Sequence, residues 1–366
     1  MPFTIRSAAF LALFASAGCG GGATAEGPRG SDDSGGGNPG GDSSVAPDVF
    51  HAADGSSGSN PDAWASDAGA SDAGADTGVV VSGDGGAGYG ADGPQAYTMT
   101  TASLNSGSDG FTVNLWIPGT AGAHPVVSFS PGLVQTSAPY FGYATRLASW
   151  GFVVLMRDDP GLLVSGDTVA ADITYAVATW LPAQNTTSGS PLFGKVDLSH
   201  VGLAGHSRGG QATLDAAETG LHGKVQAWVG LDPVNTAFSA GTAPSTNLPS
   251  IGIPTTYLGA GVMTNCAPSG DDYQTLYAVS PSPSIAITVA NASHTQFEDP
   301  SACPSCGSLC SPVGTANPQT VFDLAKKYLT AFFARELLGD ASVGALFQGV
   351  GAATDEASGA ITIVSK

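Results

Sequence analysis

An apolar run, Val201-Gly202-Leu203-Ala204, leads straight into Gly205-His206-Ser207-Arg208-Gly209-Gly210, and a helix-forming stretch follows at once. Few local patterns demand as much of a backbone. A serine on a tight strand-to-helix turn is held in a strained conformation with its hydroxyl exposed, and only small residues two before and two after let the chain segments pass. Gly205 and Gly209 meet that requirement around Ser207, with His206 completing the elbow. Ser207 is therefore read as a nucleophile. The plainer alternative is a glycine-rich turn with a surface serine, and the bare pattern is weak in a chain with 52 glycines. Its placement between strand and helix gives it weight.

The N-terminus has a different character. Arg6 precedes an apolar stretch from Ser7 to Ala17, which is followed by Gly18-Cys19-Gly20. A charged start and a short apolar segment form an export signal, too short to remain as a membrane span. Its end, Ser16-Ala17-Gly18-Cys19, resembles a bacterial lipoprotein signal. Residues 1–19 are thus expected to be a signal peptide with Cys19 as the lipidated residue, directing the chain to the outer membrane or cell surface. From Gly20 to Ala96 the chain is mostly Gly, Ser, Asp and Ala, including Ala65-Ser66-Asp67-Ala68-Gly69 and Ala70-Ser71-Asp72-Ala73-Gly74. Such a segment buries too little surface to offset its ordering entropy, so residues 20–96 are expected to be a disordered tether. A flexible segment of that length reaches roughly 50 Å. It holds 12 acids and one arginine, so much of the formal net charge of −19 belongs to it. The acidity therefore says little about a substrate, and with no basic cluster elsewhere it argues against nucleic-acid binding.

From Tyr97 onward short apolar runs alternate with helix-like stretches, the signature of a mainly parallel sheet covered on both faces. Eight strands are expected, near Tyr97–Ser103, Phe111–Trp116, Val126–Ser130, Phe152–Met156, Val201–Ala204, Ala227–Leu231, Thr255–Leu258 and Ile285–Val289. The first two are joined by a short turn around Ser106-Gly107-Ser108-Asp109-Gly110 and should run antiparallel. Helices are expected near Tyr140–Ser149, Val169–Leu181, Gln211–Thr219, Asp272–Ala278 and Pro318–Leu338; in the last, Val321, Leu324, Tyr328, Leu329, Phe332 and Phe333 form an apolar face. Residues 97–366 are read as a single α/β domain, expected to act as a monomer.

Sites in open parallel sheets form at the carboxyl ends of the strands, and that rule sorts the partners of Ser207. His51 lies in the tether, whereas His124, His200 and His222 fall at the opposite edge. His206 adjoins the nucleophile but points into the flanks of the turn, a packing position. Only His294 follows the last strand at its carboxyl end, where it could act as general base. For an acid lying between serine and histidine, Asp215 and Glu218 sit on the helix leaving the elbow, too far along it. Asp232 ends the next strand at the correct edge and is favoured. Asp271 and Asp272 remain as alternatives beside a helix start, where acids commonly cap. Two backbone N–H groups should stabilise an oxyanion: Arg208, following the serine, and Leu133, in the loop Ser130-Pro131-Gly132-Leu133-Val134 after the third strand. The segments between Asp159 and Thr168 and between Asn235 and Ser250 are placed to shape the pocket.

In an exported chain, Cys266, Cys303, Cys306 and Cys310 read as two disulfides stapling loops. A pairing of Cys266 with one of the other three would join the loop after one strand to the loop after His294. A metal or redox reading of the Cys303-x2-Cys306-x3-Cys310 spacing is disfavoured, since no histidine lies in the cluster; neither metal nor organic cofactor is expected.

Gly205-His206-Ser207-Arg208-Gly209-Gly210, then Leu231-Asp232-Pro233-Val234, then Cys266-Ala267-Pro268 after a strand, and a final loop histidine together resemble the chlorophyllase family of α/β-hydrolases. The Ser130-Pro131-Gly132 loop and Ala148-Ser149-Trp150-Gly151-Phe152-Val153-Val154 resemble the related bacterial cutinases and polyester hydrolases. The resemblance spans roughly Val126 to Glu298 and the last long helix. It implies an α/β-hydrolase fold, Asp232 as the triad acid, an oxyanion contact from Leu133, and hydrolysis of small or polymeric carboxylic esters. In the polyester hydrolases the acid follows the next strand, and an aromatic clamp stands where this chain has Pro233-Val234. A non-catalytic surface module on the same fold is the competing reading.

Overall fold

A computed structural model describes residues 49–50, 87–106, 110–158, 164–236 and 243–366. Cys19, the signal segment and most of the expected tether lie outside the described residues, as do parts of the two pocket-shaping segments and of the turn after Asn105.

Six strands run parallel: β4 (His124–Ser130), β5 (Val153–Asp158), β6 (Val196–His206), β7 (Ala227–Leu231), β8 (Thr255–Ala260) and β9 (Ser284–Val289). On one side β5 pairs antiparallel with β3 (Gly110–Pro118), and β3 pairs antiparallel with β2 (Tyr97–Asn105), as the short connection between them requires. With Val49–Phe50 as β1 and Ile361–Ser365 as β10, the order across the ten-stranded sheet is β1-β2-β3-β5-β4-β6-β7-β8-β9-β10. The eight expected strands are all present, β7 with the expected ends and the other seven with one or both ends moved. Two more lie at the edges: β1 (Val49–Phe50), within the stretch read as tether, and β10 (Ile361–Ser365), antiparallel to β9.

Both faces of the central strands are apolar because both are covered. Alternate residues serve opposite faces. Val127, Phe129, Val154 and Met156 pack beneath α1 (Phe141–Ser149) and the long helix Pro318–Leu338, whereas Val126, Val153 and Leu155 pack on the other side, with α2 (Gly166–Tyr175). The helix expected over Val169–Leu181 is interrupted: α2 passes through a wide turn at Ala176–Trp180 into α3 (Leu181–Thr186). Pro182 has no N–H to return to the carbonyl one turn earlier, and the widened turn absorbs that loss. The same face carries α4 (Arg208–Glu218) and α5 (Tyr273–Val279). Pro318–Leu338 is α6, started by Asn317, whose side chain accepts from the Thr320 N–H, and stopped by Gly339 at φ 71°. Two short helices, α7 (Gly344–Phe347) and α8 (Val350–Ala357), lead back to β10.

The packed region begins before Tyr97. Tyr89 is buried, its hydroxyl donates to Asp340 at 2.8 Å, and Arg146 donates to the Tyr89 carbonyl and to Asp92. One aromatic and one acid in a Gly-rich stretch are enough to dock it, below what a compositional boundary can resolve. Among the described residues no helix is long and apolar enough to cross a membrane.

The sheet order reverses between β4 and β6. After β4 the chain moves outward to β5, then returns to lay β6 on the other side of β4. Loops leaving the carboxyl ends of β4 and β6 therefore diverge and leave a crevice, the general ligand position in open α/β sheets.

Candidate active site

Ser207 sits at that reversal. It follows β6, caps α4 and takes φ 54°, ψ −124°, a left-handed region that a side-chain-bearing residue rarely occupies. The surroundings hold it there: its amide donates to Leu231 O at 3.1 Å, and its carbonyl accepts from Gln211 N at 3.1 Å and Val234 N at 3.4 Å. The glycines are a steric necessity. A Cβ on Gly205 would strike the Gly209 backbone, and one on Gly209 would strike the carbonyls of Ser130 and Pro131. β6, α4 and the loop after β4 can meet only without those atoms.

His294 opens a short turn, His294–Phe297, after β9. Its Nε2 lies 2.7 Å from Ser207 Oγ and its Nδ1 2.6 Å from Asp232 Oδ2. The turn is fixed by a reciprocal cap in which the Ser293 N–H donates to the Gln296 side chain at 2.7 Å, and Gln296 also donates to Ala316 O. Asp232 follows β7 at φ 38°. Its amide donates to Leu258 O at 2.7 Å and its Oδ1 accepts from Ala260 N at 2.9 Å, so both oxygens are engaged. With a carboxylate at Nδ1, the imidazole is held with its proton on Nδ1 and its lone pair on Nε2 facing the serine. The geometry thus brings together Ser207, His294 and Asp232, all buried, from three strand ends. The alternatives are engaged elsewhere. Asp272 caps α5, accepting from Thr275 N at 3.0 Å, and Asp271 accepts from Asn235 N and Thr236 Oγ1.

The loop after β4 lies against Ser207. A Cβ on Gly132 would come within 3.6 Å of Ser207 Cβ and 3.1 Å of both His206 Nδ1 and the Tyr140 hydroxyl. Leu133 is next in the chain, and Arg208 is the first residue of α4, whose amino end carries the positive pole of the helix dipole. The Arg208 side chain has a part that sequence reasoning did not see. Fully buried, it donates to Val164 O at 2.6 Å, Gly132 O at 3.1 Å and Pro131 O at 3.4 Å. Burial lowers its pKa to about 10, which leaves it charged at neutral pH, bracing the Gly132 loop from below. His206, expected only to pack, uses both ring nitrogens, one toward Tyr140 and one toward the His294 carbonyl.

The loop carrying His294 is stapled. Cys266 is bonded to Cys310, and Cys303 to Cys306, giving the two disulfides expected. Beside the first, Asn265 N donates to Ser311 O at 2.8 Å and Ser311 N returns to Asn265 Oδ1 at 2.7 Å. Closing a loop of this length removes about 4 kcal/mol of unfolded-chain entropy.

The family profile described as Chlorophyllase matches residues 93–318. This chain belongs to the chlorophyllase family. The match covers the crevice, Ser207, Asp232 and His294, and it accords with the mixed, mostly parallel sheet of an α/β-hydrolase. The chain is 29% identical over 183 residues to chlorophyllase type 0 of Chenopodium album, covering 44% of this chain and 51% of that protein. It is 28% identical over 204 residues to a bis(hydroxyethyl) terephthalate hydrolase of Streptomyces coelicolor, covering 54% of this chain and 60% of that protein. Against cutinase est1 of Thermobifida alba it is 30% identical over 112 residues, 30% of this chain and 36% of the other. The aligned stretch thus spans about half the length of the plant relative.

Proposed function

We propose that this member of the chlorophyllase family is a serine carboxylic-ester hydrolase that works through an acyl-enzyme. The observation that carries the reading is the unbroken chain of hydrogen bonds from Ser207 Oγ through His294 to Asp232, 2.7 and 2.6 Å long. Ser207 attacks the ester carbonyl while His294 Nε2 takes its proton; the alcohol leaves with that proton, and water then resolves the acyl-serine by the same route. Asp232 holds the histidine tautomer and stabilises the imidazolium. The amides of Leu133 and Arg208 receive the oxyanion, each contributing about 3 kcal/mol on the scale of removing one such donor.

The ester is proposed to be a small or polymeric carboxylic ester. Similarity to a cutinase and to a terephthalate-ester hydrolase supports that class. The proposed steps use no metal or organic cofactor. Purified full-length chain should hydrolyse short p-nitrophenyl esters, and Ser207→Ala should reduce turnover at least about 10⁴-fold; equal rates from the two proteins would refute the assignment. A chain-length series of such esters, beside a methyl-ester pigment and a polyester film, ranks the acyl and alcohol preference. Export with lipid attachment at Cys19 is proposed from the leader pattern, and Cys19→Ala should release the chain from the membrane fraction if it is correct.

A further inference from the structure

Behind His294 lies a buried polar chain to which the ester-hydrolysis reading gives no part. His206 Nε2 sits 2.9 Å from the main-chain oxygen of His294. That oxygen can only accept, so Nε2 carries a proton. On the other side of the ring, Nδ1 lies 2.8 Å from the Tyr140 hydroxyl. Tyr140 also accepts from the Gly132 amide at 3.3 Å and lies 3.3 Å from Glu298 Oε1. Glu298 is 2% exposed, and its carboxylate has the sulfurs of the Cys303–Cys306 disulfide within 4.8 Å, atoms that have no proton to donate to a charge.

The protons in this chain can be counted. A tyrosine hydroxyl has one proton and two lone pairs. If His206 is neutral, its Nδ1 must accept, so Tyr140 donates to it. The Tyr140 oxygen is then left to face Gly132 N–H and Glu298, and the second contact is favourable only when Glu298 carries the donating proton. The ionic alternative places a cation on His206 and an anion on Glu298, with Nδ1 and Oε1 3.8 Å apart. That arrangement conflicts with catalysis, because the ring centroids of His206 and His294 are 4.8 Å apart, and a cation on one opposes a cation on the other. Burial favours the neutral form. It pushes Glu298 up to about 8, and together with the neighbouring His294 it holds His206 well below the usual histidine range.

We infer that His206, Tyr140 and Glu298 form a positioning relay that ties the His294 carbonyl to the Gly132 loop and keeps His206 uncharged while His294 takes up the serine proton. This rests on the proposed roles of Ser207, His294 and Asp232. None of the three relay residues touches a reacting atom; they act through the histidine turn and the oxyanion loop. Tyr140 is the joint, bonded at once to the ring that holds one and to the amide of the other.

The groups facing Glu298 leave it as the member of the relay that titrates above neutral pH. Tyr140, just before α1, and Tyr143, within it, are both pushed far above the usual phenol range by burial and then by Glu298 itself. Tyr143 donates to Phe297 O at 2.6 Å. Asp299 follows in the chain and Asp323 reaches Tyr143 from α6. Arg208 on α4 stays charged beside Tyr140, and the two cysteines are bonded. As pH rises through about 8, Glu298 loses its proton, Tyr140 turns its own toward the carboxylate, and His206 Nδ1 loses its donor.

The test is a pH profile of kcat and KM for a p-nitrophenyl ester with full-length wild type, Glu298→Leu, Glu298→Gln and Tyr140→Phe. Glu298→Leu removes the donor to Tyr140 and should lower kcat at pH 7 about tenfold with little change in KM. Glu298→Gln keeps an N–H for Tyr140 and does not titrate, so it should restore most of that loss and lack the fall in kcat that wild type shows near pH 8. Tyr140→Phe should lower kcat about tenfold or more at every pH. The relay is refuted if Glu298→Leu and Glu298→Gln behave alike, or if Glu298→Gln keeps the wild-type alkaline fall. Should Tyr140→Phe not fold, the Leu-against-Gln comparison alone decides. Failure of the ester-hydrolase reading looks different: wild type itself would show no Ser207-dependent turnover.

Discussion

Ser207 and His294 meet across a crevice whose two walls are built differently. On the serine wall, β6, α4 and the loop after β4 are held by main-chain contacts so close that glycine is required at positions 205 and 209. On the histidine wall, residues 290–316 form a long loop region whose shape depends on side chains: the Ser293–Gln296 cap, the Asn265–Ser311 pair and the Cys266–Cys310 bond. Steric exclusion pins the first wall, and a handful of replaceable bonds pins the second. Such a design places Ser207 with little freedom and leaves His294 adjustable by chemistry some distance away.

The largest effect should come from the link between the walls. Asp232→Asn is expected to cut kcat about 10³- to 10⁴-fold by disturbing the His294 tautomer, whereas Asp272→Asn, which alters only the cap of α5, should keep most of the activity. Steady-state kinetics on both variants would reassign the acid if the order reversed. Next in size is the serine wall itself. Gly209→Ala puts a methyl group into the Ser130 and Pro131 carbonyls, so soluble, folded protein with normal turnover would show that main-chain crowding does not hold the elbow. The expected result is a loss of several kcal/mol in stability, or no folded protein, read by thermal melts.

A smaller effect is expected on the histidine wall. Replacing Cys266 and Cys310 by serine should lower stability by about 2 to 4 kcal/mol and reduce kcat in the folded fraction, with Ser207 still in place. An unchanged melting temperature would mean the loop is held without its staple. The smallest and most gradual effect concerns pH. Glu298, on the histidine wall, is raised from 4.5 to about 8, and Glu218, on α4 behind the serine, to about 9, both chiefly by burial. A raised folded pKa means that the native state holds the proton more tightly. The stabilisation is complete below the unfolded value of 4.5 and is lost as pH rises through 8 and 9. Thermal stability should therefore decline across that window. Glu298→Gln and Glu218→Gln should each flatten part of the decline, and a melting temperature constant from pH 5 to pH 9 would contradict both.

The same contrast explains what could be read from the chain alone. Ser207, Asp232 and His294 are legible because each follows the carboxyl end of a strand, and strand direction sorts residues by sheet edge without knowledge of contacts. The flanking glycines belong to that local logic too. The relay residues obey no such rule. Tyr140 looks like the start of a helix, Glu298 like a loop acid, and only folding brings them to within 3.3 Å of each other, 158 positions apart in sequence. Arg208 was readable as an amide donor but not as a brace, since its side-chain partners Val164, Pro131 and Gly132 lie on other segments. β10 carries an apolar pattern, Ile361-Thr362-Ile363-Val364, yet a short terminal run has no neighbouring signal to mark it as an edge strand. Tyr89 docks a segment whose composition reads as unstructured.

We propose Ser207 as an activated nucleophile, and covalent labelling tests that role most directly. Wild type treated with a fluorophosphonate and mapped by mass spectrometry should carry one adduct, on the peptide containing Ser207, with labelling slowed strongly in Asp232→Asn and abolished in Ser207→Ala. Absence of an adduct on wild type, or equal labelling of Ser207→Ala, would contradict it.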